Sequence, residues 1–256
     1  KENRALAENN HSATHLLQKA LRMVLGNHVE QAGSLNNAQR LRFDFTHFSA
    51  MTAEELQKVE DIVNEKIREN LPVVIKNMPI EEAKKTGAAA LFGEKYGNVV
   101  RVVDVNGYSI ELCGGTHVDN TAKIGLFKII SENSVASGIR RIEAVTGGGV
   151  LELVNDINGL LNKVAAVFKV SNPAELVAKG EAIHNELKAK DAELAALNAE
   201  IADMKMDILQ DSTVDINGVR VVSASFNTVK PDALRIMGDK IKEKAPKMVA
   251  VIASIA

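Results

Sequence analysis

Two pairs of metal-ligating side chains, far apart in the sequence, constrain the fold of this chain more than any other feature. His11 and His15 are four positions apart in a segment whose apolar residues have helical spacing, so both imidazoles can lie on one helix face. Cys113 and His117 follow a strand-like run, and two glycines between them allow the backbone to turn sharply. A single site built from both pairs requires the fold to bring this helix onto that turn.

The four side chains together predict a zinc site. Three imidazoles and one thiolate suit tetrahedral Zn²⁺. Either pair alone is ambiguous, because a lone histidine pair on a half-apolar helix is more often a core or surface feature, and a lone cysteine is more often a small buried apolar residue. Their coincidence in a chain with one cysteine and six histidines favours the metal. The zinc-protease signature is excluded, because it needs glutamate directly after the first histidine and Ser12 stands there.

Several other segments, taken in chain order with these ligands, resemble one family. They are His-Ser-Ala-Thr-His at 11–15, Gln-Ala-Gly-Ser at 31–34, Arg-Leu-Arg-Phe-Asp-Phe at 40–45, Ala-Leu-Phe-Gly-Glu-Lys-Tyr-Gly at 90–97, Cys-Gly-Gly-Thr-His at 113–117 and Gly-Ile-Arg-Arg-Ile-Glu-Ala-Val-Thr-Gly at 138–147. This set resembles the editing region of bacterial alanyl-tRNA synthetases, and the later part of the chain resembles the C-terminal region of the same family. Since the chain begins at Lys1 and contains nothing like a class II aminoacylation core, we expect a fragment of a longer enzyme.

The resemblance implies an aminoacyl-tRNA deacylase that uses Zn²⁺ to hydrolyse serine or glycine wrongly esterified to tRNA(Ala). Serine is larger than alanine, so exclusion by size cannot spare the correct product, whereas a site that hydrogen-bonds the serine hydroxyl can discriminate. The candidate polar contacts are Gln31 first, then Thr14 and Ser34. Thr14 and Ser34 are equally consistent with a purely local role in capping or turn formation. The sequence identifies no general base and does not decide whether zinc activates water or orients the ester.

Two alternative functions stay open at this point. One is a freestanding editing protein that acts on tRNA charged elsewhere, and the other is a non-catalytic, zinc-stabilised module for tRNA binding and dimerisation. All four ligands are expected in each case, so only activity separates them.

Composition and charge restrict the environment and the mode of tRNA binding. One cysteine excludes an internal disulfide, and the chain has neither a signal peptide nor an apolar run of about 20 residues, so we expect a cytoplasmic protein without membrane contact. A net charge of −2 argues against binding nucleic acid through bulk electrostatics, so tRNA contacts must use local basic patches. The candidates are Arg40, Arg42, Arg140 and Arg141, with Lys84, Lys85 and Arg101 as further possibilities.

Alternation along the predicted strand at 40–45 places Arg40, Arg42 and Asp44 on one face. That face is as consistent with simple solvation as with RNA contact.

The pattern of elements predicts an α+β fold in three parts. An editing domain is expected at 1–148, a helical linker or oligomerisation segment at 149–212, and an incomplete small α/β module at 213–256. Helices and strands of the first part are segregated rather than alternating. Thr52 and Glu55 form a capping-box pattern that begins a helix, and three glycines at 147–149 predict a flexible break.

The second part carries apolar heptads that predict a helical hairpin or coiled coil. Asn172 and Pro173 mark the start of a helix whose length of roughly 55 Å exceeds what the preceding helix can cover. We therefore expect a homodimer through its apolar seam; coverage within the chain is the alternative. In the third part, Asn217 and Gly218 predict a hairpin turn, followed by a helix at 231–244 and a strand at 248–252.

Overall fold

The computed structural model describes residues 2–88, 97–211, 213–227, 231–244 and 247–255, so most of the segment 90–97 lies outside the described residues. The chain is a mixed α+β structure of two compact units, Lys1–Leu160 and Leu161–Ala256. The helices are α1 (Glu2–Leu25), α2 (Ala53–Arg68), α3 (Ile80–Lys85), α4 (Gly148–Val167), α5 (Leu176–Asp211) and α6 (Pro231–Lys244). The strands are β1 (Gln31–Asn36), β2 (Leu41–Thr46), β3 (Val73–Pro79), β4 (Val99–Val105), β5 (Ser109–Leu112), β6 (Phe127–Ala136), β7 (Ile139–Thr146), β8 (Val214–Ile216), β9 (Val219–Asn227) and β10 (Met248–Ile255).

Two antiparallel sheets form the first unit. One has the strand order β1-β2-β7-β6 and the other the order β3-β4-β5. Because side chains alternate along a strand, β2 buries Leu41, Phe43 and Phe45 on one face. Helices α1 and α2 contribute Leu16, Leu17 and further apolar residues to the same core. The strand predicted at 40–45 is confirmed as β2.

The capping box at the start of α2 is confirmed. The Glu55 backbone N–H donates to Thr52 Oγ1 at 3.1 Å, and the Thr52 backbone N–H donates to Glu55 Oε2 at 2.8 Å. Both bonds satisfy amides that the first helical turn leaves unpaired. Helix α2 is thereby fixed at its N-terminus and buries Val59, Val63 and Ile67 against the core.

The predicted flexible break at 147–149 is wrong in extent. Only Gly147 departs from ordinary helical or extended backbone, with φ +52°, and α4 begins at Gly148. A Cβ at Gly149 would lie 3.3 Å from the Val145 side chain, so this glycine permits close packing of the helix against β7. The boundary between the two compact units falls inside α4, and the division into three domains stays a prediction.

The long helix predicted in the second unit is confirmed as α5, which has 36 residues and therefore spans about 54 Å. The Asn172 side chain accepts a hydrogen bond from the Ala174 backbone N–H at 3.1 Å and caps the short helical turn that precedes it. The apolar seam of α5 is exposed, as Leu194 at 56% shows. The coiled coil stays a prediction, and the side chains at 202, 203 and 205–211 lie outside the described residues.

The end of the chain forms a small α/β unit. Asn217 and Gly218 have φ angles of +55° and +80°, which is the backbone required for the predicted hairpin turn between β8 and β9. Helix α6 then leads to β10, which pairs in parallel with β9. Across the described parts of the chain, every helix is too short or too polar to cross a membrane.

Candidate metal centre

Four ligand side chains meet where α1 faces the turn after β5. One ligand atom from each of His11, His15, Cys113 and His117 lies within 4.8 Å of all the others. Cys113 Sγ is 3.4 Å from His11 Nε2 and 3.3 Å from His117 Nε2. Bond lengths of about 2.0–2.3 Å to a tetrahedral zinc ion require ligand atoms roughly 3.3–3.8 Å apart. The donor set therefore fits Zn²⁺, and the two sulfur–nitrogen distances already match the spacing that a zinc ion requires.

The local backbone explains why the two halves meet. Helical spacing puts both histidines of α1 on one face, as predicted. On the other side, the Arg101 guanidinium donates to the carbonyl oxygens of Cys113 at 2.6 Å and Gly115 at 2.7 Å, which holds the turn closed. A Cβ on Gly115 would lie 1.9 Å from His11 Cε1. No residue with a side chain fits there while His11 keeps its place.

The electrostatics of the cluster favour neutral imidazoles. Burial lowers the pKa of His15 from 6.5 to about 3, and the neighbouring charges of His11 and Arg101 add to the shift. Burial is also the largest cause of the lowered pKa values of His11 and His117. Because only the unprotonated ring nitrogen can bind a metal ion, these side chains are in the ligand form at neutral pH.

Each imidazole also has a polar partner outside the cluster. Ser12 Oγ lies 3.2 Å from His117 Nδ1 and accepts the Val118 backbone N–H at 3.1 Å. His11 is hydrogen-bonded to the backbone of Thr116. Such outer partners orient metal ligands.

The third partner is Glu111, whose Oε2 lies 3.6 Å from His15 Nδ1. Burial raises the pKa of this carboxyl to about 7, although a hydrogen bond from Ser109 opposes the shift. These roles of Ser12 and Glu111 were not predicted from the sequence. The available signals were the position of Ser12 directly after a ligand, and that of Glu111 two residues before Cys113 on a strand.

The three candidate contacts for serine occupy different environments. Thr14 is buried, and its hydroxyl lies 2.9 Å from the Asn10 carbonyl oxygen and 2.7 Å from Asn36 Oδ1, so it ties α1 to the end of β1. Gln31 begins β1 beside a β-bulge and pairs with Phe45 in register. Within the described chain its side-chain amide has no hydrogen-bond partner, and the same holds for the exposed hydroxyl of Ser34. Gln31 and Ser34 are therefore available for a ligand, whereas the Thr14 hydroxyl is already engaged.

The four candidate arginines all form ion pairs within the first unit. Arg140 pairs with Glu132 on the neighbouring strand, and its second contact measures 2.6 Å. Arg141 binds Asp44 through two hydrogen bonds of 2.7 and 2.8 Å.

The other two arginines make longer contacts, Arg40 with Glu143 at 3.5 Å and Arg42 with Asp44 at 3.8 Å. These pairs balance much of the positive charge of the four arginines, and Arg140 and Arg141, as neighbours on β7, point to opposite faces of the sheet. Contact with tRNA through these arginines stays a prediction.

Known proteins similar to this chain include tRNA synthetases. Residues 100–143 match the family model described as the threonyl and alanyl tRNA synthetase second additional domain, which includes the Cys113–His117 turn. The chain is 52% identical to an alanine–tRNA ligase of Acetivibrio thermocellus over 252 residues, which are 98% of this chain and 28% of that relative. It is 50% identical to an alanine–tRNA ligase of Bacillus anthracis over 254 residues, which are 99% of this chain and 29% of that relative.

The chain is therefore similar to alanine–tRNA ligases over almost its whole length, as the resemblance predicted. The chain spans less than a third of the length of these relatives.

Proposed function

We propose that this chain carries out the hydrolytic editing of an alanine–tRNA ligase, removing serine or glycine from mischarged tRNA(Ala) with the help of zinc. The observation that carries this proposal is the convergence of three imidazoles and one cysteine sulfur in the unit that contains the match to the synthetase additional domain. Zinc bound there would supply Lewis-acid chemistry at an ester carbonyl or at a water molecule. The residues of the chain itself hold the ion, shape the pocket and select the amino acid.

Selection of serine falls to Gln31 in this proposal. Its amide has no hydrogen-bond partner among the described residues, so it can bind the serine hydroxyl without giving up an existing bond. Alanine would leave that amide unpaired, and this loss discriminates against the correct product. Ser34 can assist from the same strand. Thr14 lies between the two histidines of α1 and fixes the helix against β1, so we assign it a supporting role.

The proposed partners are tRNA(Ala) and a second copy of the chain. For tRNA we keep the four arginines of the β1-β2-β7-β6 sheet, which would exchange their present ion pairs for phosphate contacts. For the second copy we propose the seam of α5, because its apolar side chains are exposed in the described chain. A cytoplasmic location agrees with both partners.

The decisive experiment measures hydrolysis of seryl-tRNA(Ala) and alanyl-tRNA(Ala) by the zinc-loaded chain, by the chain treated with a chelator and by Cys113→Ala. We expect hydrolysis of the seryl ester alone, and its loss together with bound zinc in the chelated protein and in the variant. His184→Ala, which changes an exposed histidine on α5, serves as the control and should retain both zinc and activity.

Two results would contradict the proposal in different ways. Full activity without zinc would remove the metal from the reaction. A chain that binds zinc and tRNA(Ala) but hydrolyses neither ester would be the non-catalytic module instead.

A further inference from the structure

A buried carboxylate lies directly behind the candidate metal centre. Glu111 is 9% exposed and stands on β5, whose alternation puts Ser109 on the same face. Glu111 Oε1 accepts a hydrogen bond from Ser109 Oγ at 2.6 Å, and Oε2 lies 3.6 Å from His15 Nδ1. Ser109 is itself buried, so the carboxylate is held in one orientation against the outer edge of one ligand.

His15 lacks the hydrogen bond that a ligand imidazole needs at its outer nitrogen. Its Nδ1 is buried and has no hydrogen-bond partner in the described parts of the chain. A neutral imidazole that binds metal through Nε2 carries its proton on Nδ1, and this N–H faces Glu111. A separation of 3.6 Å is too long for a hydrogen bond. A small rotation of either side chain would close it.

Charge balance gives the carboxylate a second role. Three neutral imidazoles and one thiolate leave a Zn²⁺ site with one net positive charge, which is costly to bury without a counter-charge. The partners of the other two imidazoles, the Ser12 hydroxyl and the Thr116 backbone, are neutral. Glu111 is the carboxylate that lies within 4 Å of a ligand imidazole in the described chain.

We propose that Glu111, held by Ser109, is the positioning residue of the metal centre: it fixes the tautomer of His15, directs Nε2 towards the ion and balances the charge of the site. This inference rests on the zinc site of the proposed function. It adds a residue that holds the ligand rather than one that touches the substrate. Outer carboxylates of this kind typically change metal affinity by about 10- to 100-fold.

The test compares the zinc affinities of the full chain and its variants by competition with a chromophoric chelator. Glu111→Gln keeps the shape of the side chain and removes its charge, so we expect zinc to bind about 10- to 100-fold more weakly. Glu60→Gln is the matched control, because Glu60 is 8% exposed and is bonded to Lys128 and the Ile129 backbone N–H, away from the ligands. Its zinc affinity should match that of the unmutated chain.

Two further readouts separate positioning from a purely structural role. In the zinc-loaded protein, the ¹⁵N and ¹H resonances of the His15 Nδ1–H should shift in Glu111→Gln and not in Glu60→Gln. The visible spectrum of the Co²⁺-substituted protein should change in the same variant, because the His15 ligand is no longer held. Glu111→Asp keeps the charge and should recover part of the affinity.

Ser109→Ala keeps the inference testable if Glu111→Gln fails to fold. It removes only the hydrogen bond that orients the carboxylate, so zinc affinity should fall by a smaller factor and the His15 resonance should broaden or shift. Unchanged affinity and unchanged His15 resonances in a folded Glu111→Gln or Ser109→Ala protein would overturn the inference and leave the zinc site intact. Failure of the unmutated chain to bind zinc would instead overturn the metal site itself.

Discussion

Helices α1 and α5 both carry apolar residues at helical spacing, yet only α1 buries them. In α1, Leu16, Leu17 and Leu21 have no exposed surface, and the neighbouring face supplies His11 and His15. In α5, the apolar heptad residues Ile183, Leu187, Leu194, Leu197, Ile201 and Met204 remain between about two-fifths and three-fifths exposed. Helical spacing of apolar residues therefore forms part of a packed core in the first unit and an exposed surface in the second.

This difference separates two tasks. The first unit surrounds α1 with two sheets and a second helix, which gives the metal ligands fixed positions. The second unit leaves α5 with apolar surface whose burial would be worth about 25 cal/mol per Å². In the proposed function, the rigid first unit holds the metal ligands, and the exposed apolar surface of the second unit is available for association. The predictions below test that division.

The largest effect is expected for Gly115→Ala. Its Cβ would lie 1.9 Å from His11 Cε1, so His11 must leave the ligand set or the turn must open. Since loss of an outer partner alone costs up to about 100-fold in metal affinity, displacement of a ligand should cost more. Zinc binding measured by chelator competition should fall below detection, while the helical circular dichroism of the whole chain should be retained.

Gly114→Ala is the matched control for this change. The added Cβ would have nothing within 4 Å, and the substitution is otherwise the same in the same turn. If Gly115→Ala and Gly114→Ala bind zinc equally well, His11 is not a ligand. The first unit would then not hold this side chain in a fixed position at the metal.

A charge in the seam of α5 should have the next largest effect. Leu194→Glu would place an unpaired carboxylate in an apolar interface, and we expect the dimer dissociation constant to rise by about 10- to 100-fold. Sedimentation at several concentrations measures this change. Zinc content should be unaltered, because all four ligands lie in the first unit.

Ala199→Glu adds the same charge to α5 at a heptad position on the other side of the helix, and it should leave association unaffected. An unmutated chain that sediments as a monomer at micromolar concentration would refute the seam as a self-association surface. The exposed leucines would then need a different partner.

Local signals predicted most of the fold. The cap formed by Thr52 and Glu55, the helical turn that Asn172 caps just before α5 and the turn at Asn217 depend on neighbours in the sequence, so their pattern alone was sufficient. The short helix α3 was missed because six residues offer little periodicity. The predicted break at 147–149 was too long, because three consecutive glycines in the sequence do not show that Gly149 lies in a helix packed against Val145.

The candidate site was predicted to a lesser depth. The four ligand side chains could be named because their types and spacing are distinctive, and the structure brings them together. Their partners could not, because the approach of Ser12 to His117 and of Glu111 to His15 joins residues that only the tertiary fold makes neighbours. The engagement of the Thr14 hydroxyl by Asn36 is hidden from sequence for the same reason.

Acid should destabilise the metal-free first unit through its histidines. The pKa of His15 is about 3 in the folded chain and 6.5 ordinarily, so between these pH values the unfolded chain binds a proton that the folded chain does not bind. The contribution of His15 to the free energy of unfolding is therefore fully present above pH 6.5. It is lost as the pH falls towards 3, by up to about 1.4 kcal/mol per pH unit. Glu111, with its pKa raised from 4.5 to about 7, has the opposite effect between those values, so the steepest loss is expected below pH 4.5.

Denaturant unfolding of the chelated chain as a function of pH measures this slope. His15→Gln should lower this slope by the equivalent of about one bound proton, whereas His184→Gln, on α5, should leave the slope unaltered. If the unmutated chain and His15→Gln show the same dependence of stability on pH, the folded chain does not keep His15 neutral. The first unit would then be packed less tightly around its ligands than proposed.

The smallest effect is expected at the edge of the packed unit, where Gln31 meets the substrate in the proposed function. Gln31→Leu removes the amide that we assign to the serine hydroxyl, so hydrolysis of seryl-tRNA(Ala) should fall by about 10-fold, equivalent to one hydrogen bond of about 1.4 kcal/mol. Hydrolysis of glycyl-tRNA(Ala) should change much less, because glycine has no hydroxyl to lose. Gln39→Leu, the same substitution at an exposed position of the β1–β2 turn, should alter neither rate.

Equal losses on the two esters would assign Gln31 to positioning the tRNA end or the backbone. Selectivity would then have to come from Ser34 or from residues outside the β1 strand.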